Sequence, residues 1–163
     1  SLQQIAKECG VTKASIYYHF ESKAQLFTAS VTAMTGIARK HTKIIMDQEA
    51  PLLDRLRQLA EAKLAKPHGD FETIMREARP SLSPEQVQAI MSSEEAINNI
   101  LIENFQQAMD RGEIRNADTL FLAHTFYSLI MVGNREIYAD YNLSSARLAH
   151  QIIDLFWHGI APE

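Results

Sequence analysis

Between residues 12 and 23 the chain gathers side chains suited to binding: Thr12, Lys13, Ser15, Tyr17, Tyr18, His19 and Lys23, with small Ala14 among them. Short hydroxyls such as Thr12 and Ser15, at the start of a helix, come within reach of phosphates and base edges. Ala14 is small enough to let such a helix approach closely and touch a thymine methyl. Lys13 can bond a guanine edge or pair with phosphate. Tyr17, Tyr18 and His19 can set polar tips on a sugar–phosphate backbone while their rings pack, although Tyr17 also suits a core. Lys23 falls in the first turn of a following helix, whose free N–H groups attract phosphate as well.

Those residues need helices to present them, and the first 27 residues supply the signals. Ser1 and Gln4 fit an S-x-x-Q capping box, and Leu2, Ile5 and Ala6 form an apolar stripe at helical spacing. Cys9-Gly10-Val11 breaks that helix at the residue type that enters a left-handed turn without steric cost. Thr12 can cap a second helix, in which Ile16 and Phe20 recur four apart and belong to the core. Two helices joined by a tight glycine turn, the second with a polar outer face, are a way of placing a helix in the DNA major groove.

Several residues coincide here at fixed offsets. Ile5-Ala6-Lys7, Gly10-Val11-Thr12-Lys13, Ile16-Tyr17-Tyr18-His19-Phe20 and Ser22-Lys23-Ala24-Gln25-Leu26 resemble the helix-turn-helix of TetR-type transcriptional regulators. The ending, Ile153 to Ile160, is similar to that family too. The family pattern has one further helix ahead of the first one here. The resemblance implies that an N-terminal segment before Ser1 was disordered or removed. It also implies that Tyr17, Tyr18, His19 and Lys23 mainly position the protein, while the Thr12–Ser15 turn does more of the reading.

The net charge of −4 would argue against nucleic acid if it were uniform, and it is not. Residues 1–43 carry Lys7, Lys13, Lys23, Arg39, Lys40 and Lys43 against Glu8 and Glu21, a net +4, and the remainder carries −8. A basic head on an acidic body suits phosphate binding at one end. No apolar run approaches the roughly 18 residues of a membrane span. The single cysteine, Cys9, excludes an internal disulfide framework and fits a reducing cytoplasm. Beside the turn it reads as a small buried hydrophobe.

The expected fold is all-α: a helix-turn-helix DNA-binding domain over 1–43, running into a long connecting helix, and a C-terminal effector-binding and dimerisation domain over 44–163. The long helix should run from Ser22 to about Gln48 with Leu26, Phe27, Val31, Met34 and Ile37 as its apolar positions. Pro51 should open the next helix at its first residue, to about Lys66. Pro67-His68-Gly69 punctuates, Asp70 caps a short helix, and Ser83-Pro84-Glu85-Gln86 starts a helix reaching Arg111. From Ala117 to about Ala139 one face reads Leu122, Phe126, Leu129, Gly133 and Ile137, and its neighbour reads Phe121, His124, Ser128, Met131 and Arg135. Tyr141-Asn142-Leu143 turns into a last helix capped by Ser144.

A helix apolar over more than one face needs cover on more than one side. Pairing with a second copy supplies it, so a homodimer is expected, with Phe126, Leu129, Ile152 and Phe156 at its interface. The family resemblance implies an effector pocket in the body. Met75, Phe105, His124, Tyr127 and Met131 are the candidate lining for a hydrophobic small molecule. For the methionines a gap-filling core role competes, and for His124 a satisfied core position does.

The rival class is a helical-bundle enzyme or metal protein. No histidine follows Asp or Glu by three residues, and neither H-E-x-x-H nor a phosphate-cradling glycine loop occurs. Glu94 and Glu95 are adjacent and so diverge. The expectation is a cytoplasmic, non-enzymatic, homodimeric repressor without cofactor or membrane contact. It should bind a palindromic double-stranded operator and be released by a small effector.

Overall fold

The computed structural model describes residues 1–65, 71–133 and 143–162. Within them the helices are α1 (Leu2–Glu8), α2 (Lys13–His19), α3 (Lys23–Met46), α4 (Leu52–Leu64), α5 (Phe71–Ala78), α6 (Pro84–Asp110), α7 (Thr119–Gly133) and α8 (Ser145–Ile160). No strand occurs among the described residues. The all-α expectation holds. The expected breaks at Pro67-His68-Gly69, Asp70 and Tyr141-Asn142, and the continuation of α7 through Arg135 and Ile137 to Ala139, lie outside the described residues.

Local chemistry sets the ends of these helices. Ser83 and Gln86 make the complete capping box, with Gln86 N–H donating to Ser83 Oγ at 3.2 Å and Ser83 N–H donating to Gln86 Oε1 at 2.9 Å. Ser144 caps α8 through the Arg147 N–H. Pro51 stands one position earlier than expected, as the cap of α4 rather than its first residue. At the end of α6, Gly112 takes φ +70° while its N–H reaches Met109 O and Glu113 N–H reaches Ala108 O. That six-to-one and five-to-two pair closes the carbonyls that the helix leaves open.

The body is built by α3 lying along α6, α4 along α8, and α7 between α6 and α8. Its core centres on Leu56, Leu101, Phe105, Phe126 and Ile153, all fully buried. Arg55 locks the corner: its Nη1 donates to Met46 O at 2.6 Å and to Asn104 Oδ1 at 2.7 Å, tying the end of α3 to α4 and α6. Gly133 marks a close approach, since a Cβ there would sit 2.7 Å from Leu64 Cδ2 and 3.0 Å from Ile152 Cδ1.

Several sequence expectations are corrected by this packing. Phe126, Ile152 and Phe156 are buried within the single chain, where the Phe126 and Phe156 rings lie 6.0 Å apart, and Leu129 is half-buried against the same core. Phe126, Ile152 and Phe156, already covered by their own chain, have almost no surface left to offer a second copy, while Leu129 keeps part of its surface. The exposed apolar residues of α7 and α8 are instead Leu120, Phe121, Val132 and Leu155. On α3, Met34 and Ile37 face solvent while Thr35 and Thr42 turn inward. Thr35 can be buried because its hydroxyl bonds Val31 O at 3.0 Å and Ser93 Oγ at 2.8 Å. Cys9, expected to be buried, is exposed at the C-cap of α1.

Candidate functional site

The head is a small three-helix unit around Leu2, Ala6 and Ile16, with Phe20 and Leu26 packed against them. Its turn is the one Gly10 permits. Gly10 takes φ +67°, its N–H reaches Lys7 O at 3.2 Å, and Val11 N–H reaches Ala6 O at 2.9 Å. Thr12 then caps α2 by accepting from Ser15 N–H at 3.0 Å. Ser1 caps α1 through the Gln4 N–H at 3.3 Å, without the reciprocal arm of a capping box. At α3, Ser22 accepts from Gln25 N–H, and Gln25 Oε1 accepts from Glu21 N–H at 2.6 Å, which fixes the entry to the helix carrying Lys23.

Thr12, Lys13, Ala14, Ser15, Tyr17, Tyr18, His19 and Lys23 are all exposed, and Ile16 is the one buried residue of α2. With 100° between successive residues, the point of α2 opposite Ile16 falls between Ala14 and Tyr18. Tyr18, 85% exposed, therefore stands at the centre of the outward face with Ala14 one turn before it. Lys13 and Tyr17 flank one side, the ammonium 5.6 Å from the ring centroid. Ser15 and His19 flank the other, and the His19 ring meets Tyr18 edge-on at 5.0 Å. Tyr17 is half exposed, so the core reading of that residue does not apply. One face of one short helix thus carries hydroxyls, a cation and two phenols, with a small residue where a groove floor would come closest.

The expected effector residues do not share one environment. Phe105 is sealed in the main core, Met75 is buried on α5, and Met131 is half-buried one turn beyond Tyr127. His124 faces outward with Asp118, Leu120 and Phe121 around a shallow depression. Tyr127 points inward, and its buried hydroxyl has no protein hydrogen-bond partner. Its ring carries the Lys63 ammonium 4.8 Å from the centroid. Burial first, and then the Glu94 charge, push the Tyr127 hydroxyl above its ordinary range, with Thr42 acting in the opposite sense. Burial raises the Glu94 carboxyl and lowers the Lys63 ammonium, and each is partly offset by the other's charge.

Sequence reasoning missed Lys63 and Asn98 and set Glu94 aside as one of a diverging pair. The available signal was the i, i+4 spacing of Glu94 and Asn98, which puts both on one side of α6. Among the described residues no group of three His, Cys, Asp or Glu could hold a metal ion. No helix of the described chain is long and apolar enough to cross a membrane.

Comparison with known proteins agrees with this geometry. Residues 1–29 match the model of the tetR family of bacterial regulatory proteins. The HTH-type transcriptional regulator YerO of Bacillus subtilis, itself uncharacterised, is 25% identical over 95% of this chain, which spans 57% of YerO. The chain superposes with a TM-score of 0.75 on FadR from Bacillus subtilis, a structure in complex with stearoyl-CoA, at 19% identity over 96% of this chain and 86% of the other. AibR, in complex with isovaleryl coenzyme A and operator DNA, gives a TM-score of 0.69 at 23% identity, over 95% of this chain and 85% of the other. These two likenesses concern the fold. Residues 1–29 thus carry a helix-turn-helix segment of the tetR family type, and the all-helical body behind it shares the fold of these two structures.

Proposed function

We propose that the protein is a cytoplasmic, homodimeric repressor. Each subunit lays α2 in one major groove of a palindromic operator, and a small organic effector bound in the body releases it. The observation that carries this reading is the outward face of α2, where Thr12 through His19 stand free of the core except at Ile16. In that arrangement Lys13, Ala14 and Ser15 read base edges, while Tyr17, Tyr18, His19 and Lys23 hold phosphates. The basic head adds sequence-independent attraction at the same end.

The second copy docks on the outer faces of α7 and α8. Leu120, Phe121, Val132 and Leu155 are the apolar side chains that the chain's own core leaves uncovered there. His124, beside Phe121, belongs with this face rather than with the effector. Coupling runs through α3, whose 24 residues begin at Lys23 in the head and end at Met46 in the body. Such a helix is about 36 Å long, so a tilt of about 5° moves its far end by about 3 Å. That is enough to spoil the match of two heads to two half-sites, provided the effector prefers the tilted state. That FadR and AibR hold acyl-coenzyme A ligands supports a body able to close on an organic molecule with an apolar portion.

The test is Lys23→Ala in the intact protein, with duplex affinity measured across a salt series. Each phosphate contact contributes about 0.9 to the log–log slope, so a dimer losing two should lose about 1.8 with similar weakening for every duplex. An unchanged slope would take Lys23 out of the backbone contacts.

A further inference from the structure

Four helices of the body turn polar side chains toward one place. The Lys63 ammonium of α4 sits over the Tyr127 ring of α7 at 4.8 Å. Glu94 of α6 is close enough to act on the charge of both, and the Thr42 hydroxyl of α3 lies near the Tyr127 hydroxyl but outside hydrogen-bond geometry. Asn98 follows Glu94 by one helical turn, and its Oδ1 is buried. Neither Tyr127 Oη nor Asn98 Oδ1 has a hydrogen-bond partner among the described residues. The Tyr127 hydroxyl and Asn98 amide oxygen are costly where they are, since a buried polar atom loses water and gains nothing in exchange. Two such atoms occur where α3, α4, α6 and α7 meet, and a bound polar group would satisfy both. Core residues lie one turn away on three of the helices: Leu59, Leu101 and Ile130.

The chemistry of the group defines what would satisfy it. Lys63 donates only, Glu94 accepts, Asn98 offers an unmet carbonyl, and Tyr127 does either. The two charges are opposite, so a ligand carrying net charge of either sign meets one attraction and one repulsion. A neutral head that both accepts and donates meets every group at once. Building on the effector-responsive reading above, we propose that Lys63, Glu94, Asn98 and Tyr127 form the head-group site of the effector, and that the effector is an uncharged apolar molecule ending in a hydroxyl, phenol or primary amide.

The experiment uses the intact protein and four probes with the same alkyl-aromatic body: para-hexylphenol, para-hexylanisole, para-hexylbenzoate and para-hexylbenzylamine. They present, in turn, a neutral donor and acceptor, a neutral acceptor only, an anion and a cation. Calorimetric titration should rank the phenol first, by about tenfold over the ether, since the ether keeps the acceptor oxygen but loses the one O–H donor and leaves a buried acceptor of the site unmet. Tyr127→Phe and Asn98→Leu should each reduce that preference by about fivefold, through weaker binding of the phenol. Without probe, Tyr127→Phe should unfold at the same urea concentration as the parent or a higher one, because it removes an unpaired buried hydroxyl.

Equal binding of phenol and ether would overturn the proposal. So would tightest binding by the benzoate or the amine, absence of saturable binding by all four, or a clear loss of unliganded stability in Tyr127→Phe. The last would make the hydroxyl a structural partner of Thr42. Duplex retention by the same preparations, measured without probe, separates this from the regulator reading. Retention that survives while the probe ranking fails overturns the head-group site alone, and loss of retention with the ranking intact overturns the DNA reading alone.

Discussion

Phe121→Ala and Phe126→Ala, five residues apart on one helix, should have opposite consequences. Phe126 has 0% of its surface exposed and stacks edge-on with Phe156, whereas Phe121 is 66% exposed. Removing the Phe126 ring should cost about 3–5 kcal/mol of unfolding free energy, the range for Phe→Ala in a packed core. For Phe121 the loss in chain stability should stay within about 0.5 kcal/mol, as for surface positions in general. Its effect belongs to assembly. Fully burying a phenylalanine is worth about 1.5–3 kcal/mol, so the two-thirds still exposed carries about 1–2 kcal/mol per copy. A two-fold interface buries two copies, which makes about 2–4 kcal/mol, or a dimer dissociation constant raised roughly thirty- to several-hundred-fold. Sedimentation velocity over a dilution series measures the second quantity, and urea denaturation the first. If Phe121→Ala dimerises like the parent while Phe126→Ala stays folded and becomes monomeric, the assignment of inner and outer faces of α7 is wrong.

Glycine positions offer an internal comparison. Gly36→Ala, in open space on α3, should gain about 1 kcal/mol from helix propensity, whereas Gly133→Ala should fall below it by about 1–3 kcal/mol because its Cβ crowds Leu64 and Ile152. Equal urea midpoints for the two variants would show that α7 does not approach α4 and α8 closely. Glu94 gives a pH signature. Its carboxyl is raised by burial, so just above the ordinary carboxylate range the folded state holds more protons than the unfolded one, and stability should fall as pH rises through that window. Glu94→Gln should remove this component of the slope in urea titrations taken across the acid range, and an unaltered slope would place Glu94 in water.

Among the described residues, helix type and most helix ends were legible in the sequence because they depend on near neighbours. Ser83 with Gln86, Ser144, Thr12 and Gly10 each act within four residues, and all behave as their types require. The exposure of the candidate residues from Thr12 to His19 was legible for the same reason, since a seven-residue helix with a single core anchor exposes nearly everything else. What was not legible is which apolar stripe of a doubly apolar helix meets its own chain. Phe121 and Phe126 are equally hydrophobic, and only the placement of α6 and α8 decides between them. Thr35 was overlooked because a threonine that bonds the carbonyl a turn back is buried more cheaply than its hydroxyl suggests. His124 misled in the opposite direction: a polar residue on an apolar helix implied a buried ligand, and it stands on the surface.

Selection of duplexes from a random pool by the intact protein, beside its Lys13→Ala and Ser15→Ala variants, tests most directly whether α2 reads DNA. The parent should enrich a palindrome whose two half-sites face the two heads. Each variant should relax choice at particular positions of both half-sites, by about 1–3 kcal/mol of discrimination for a lost base contact. A parent that retains no sequence above the pool, or variants that enrich the same palindrome with the same stringency, would contradict the reading of α2 as the recognition helix.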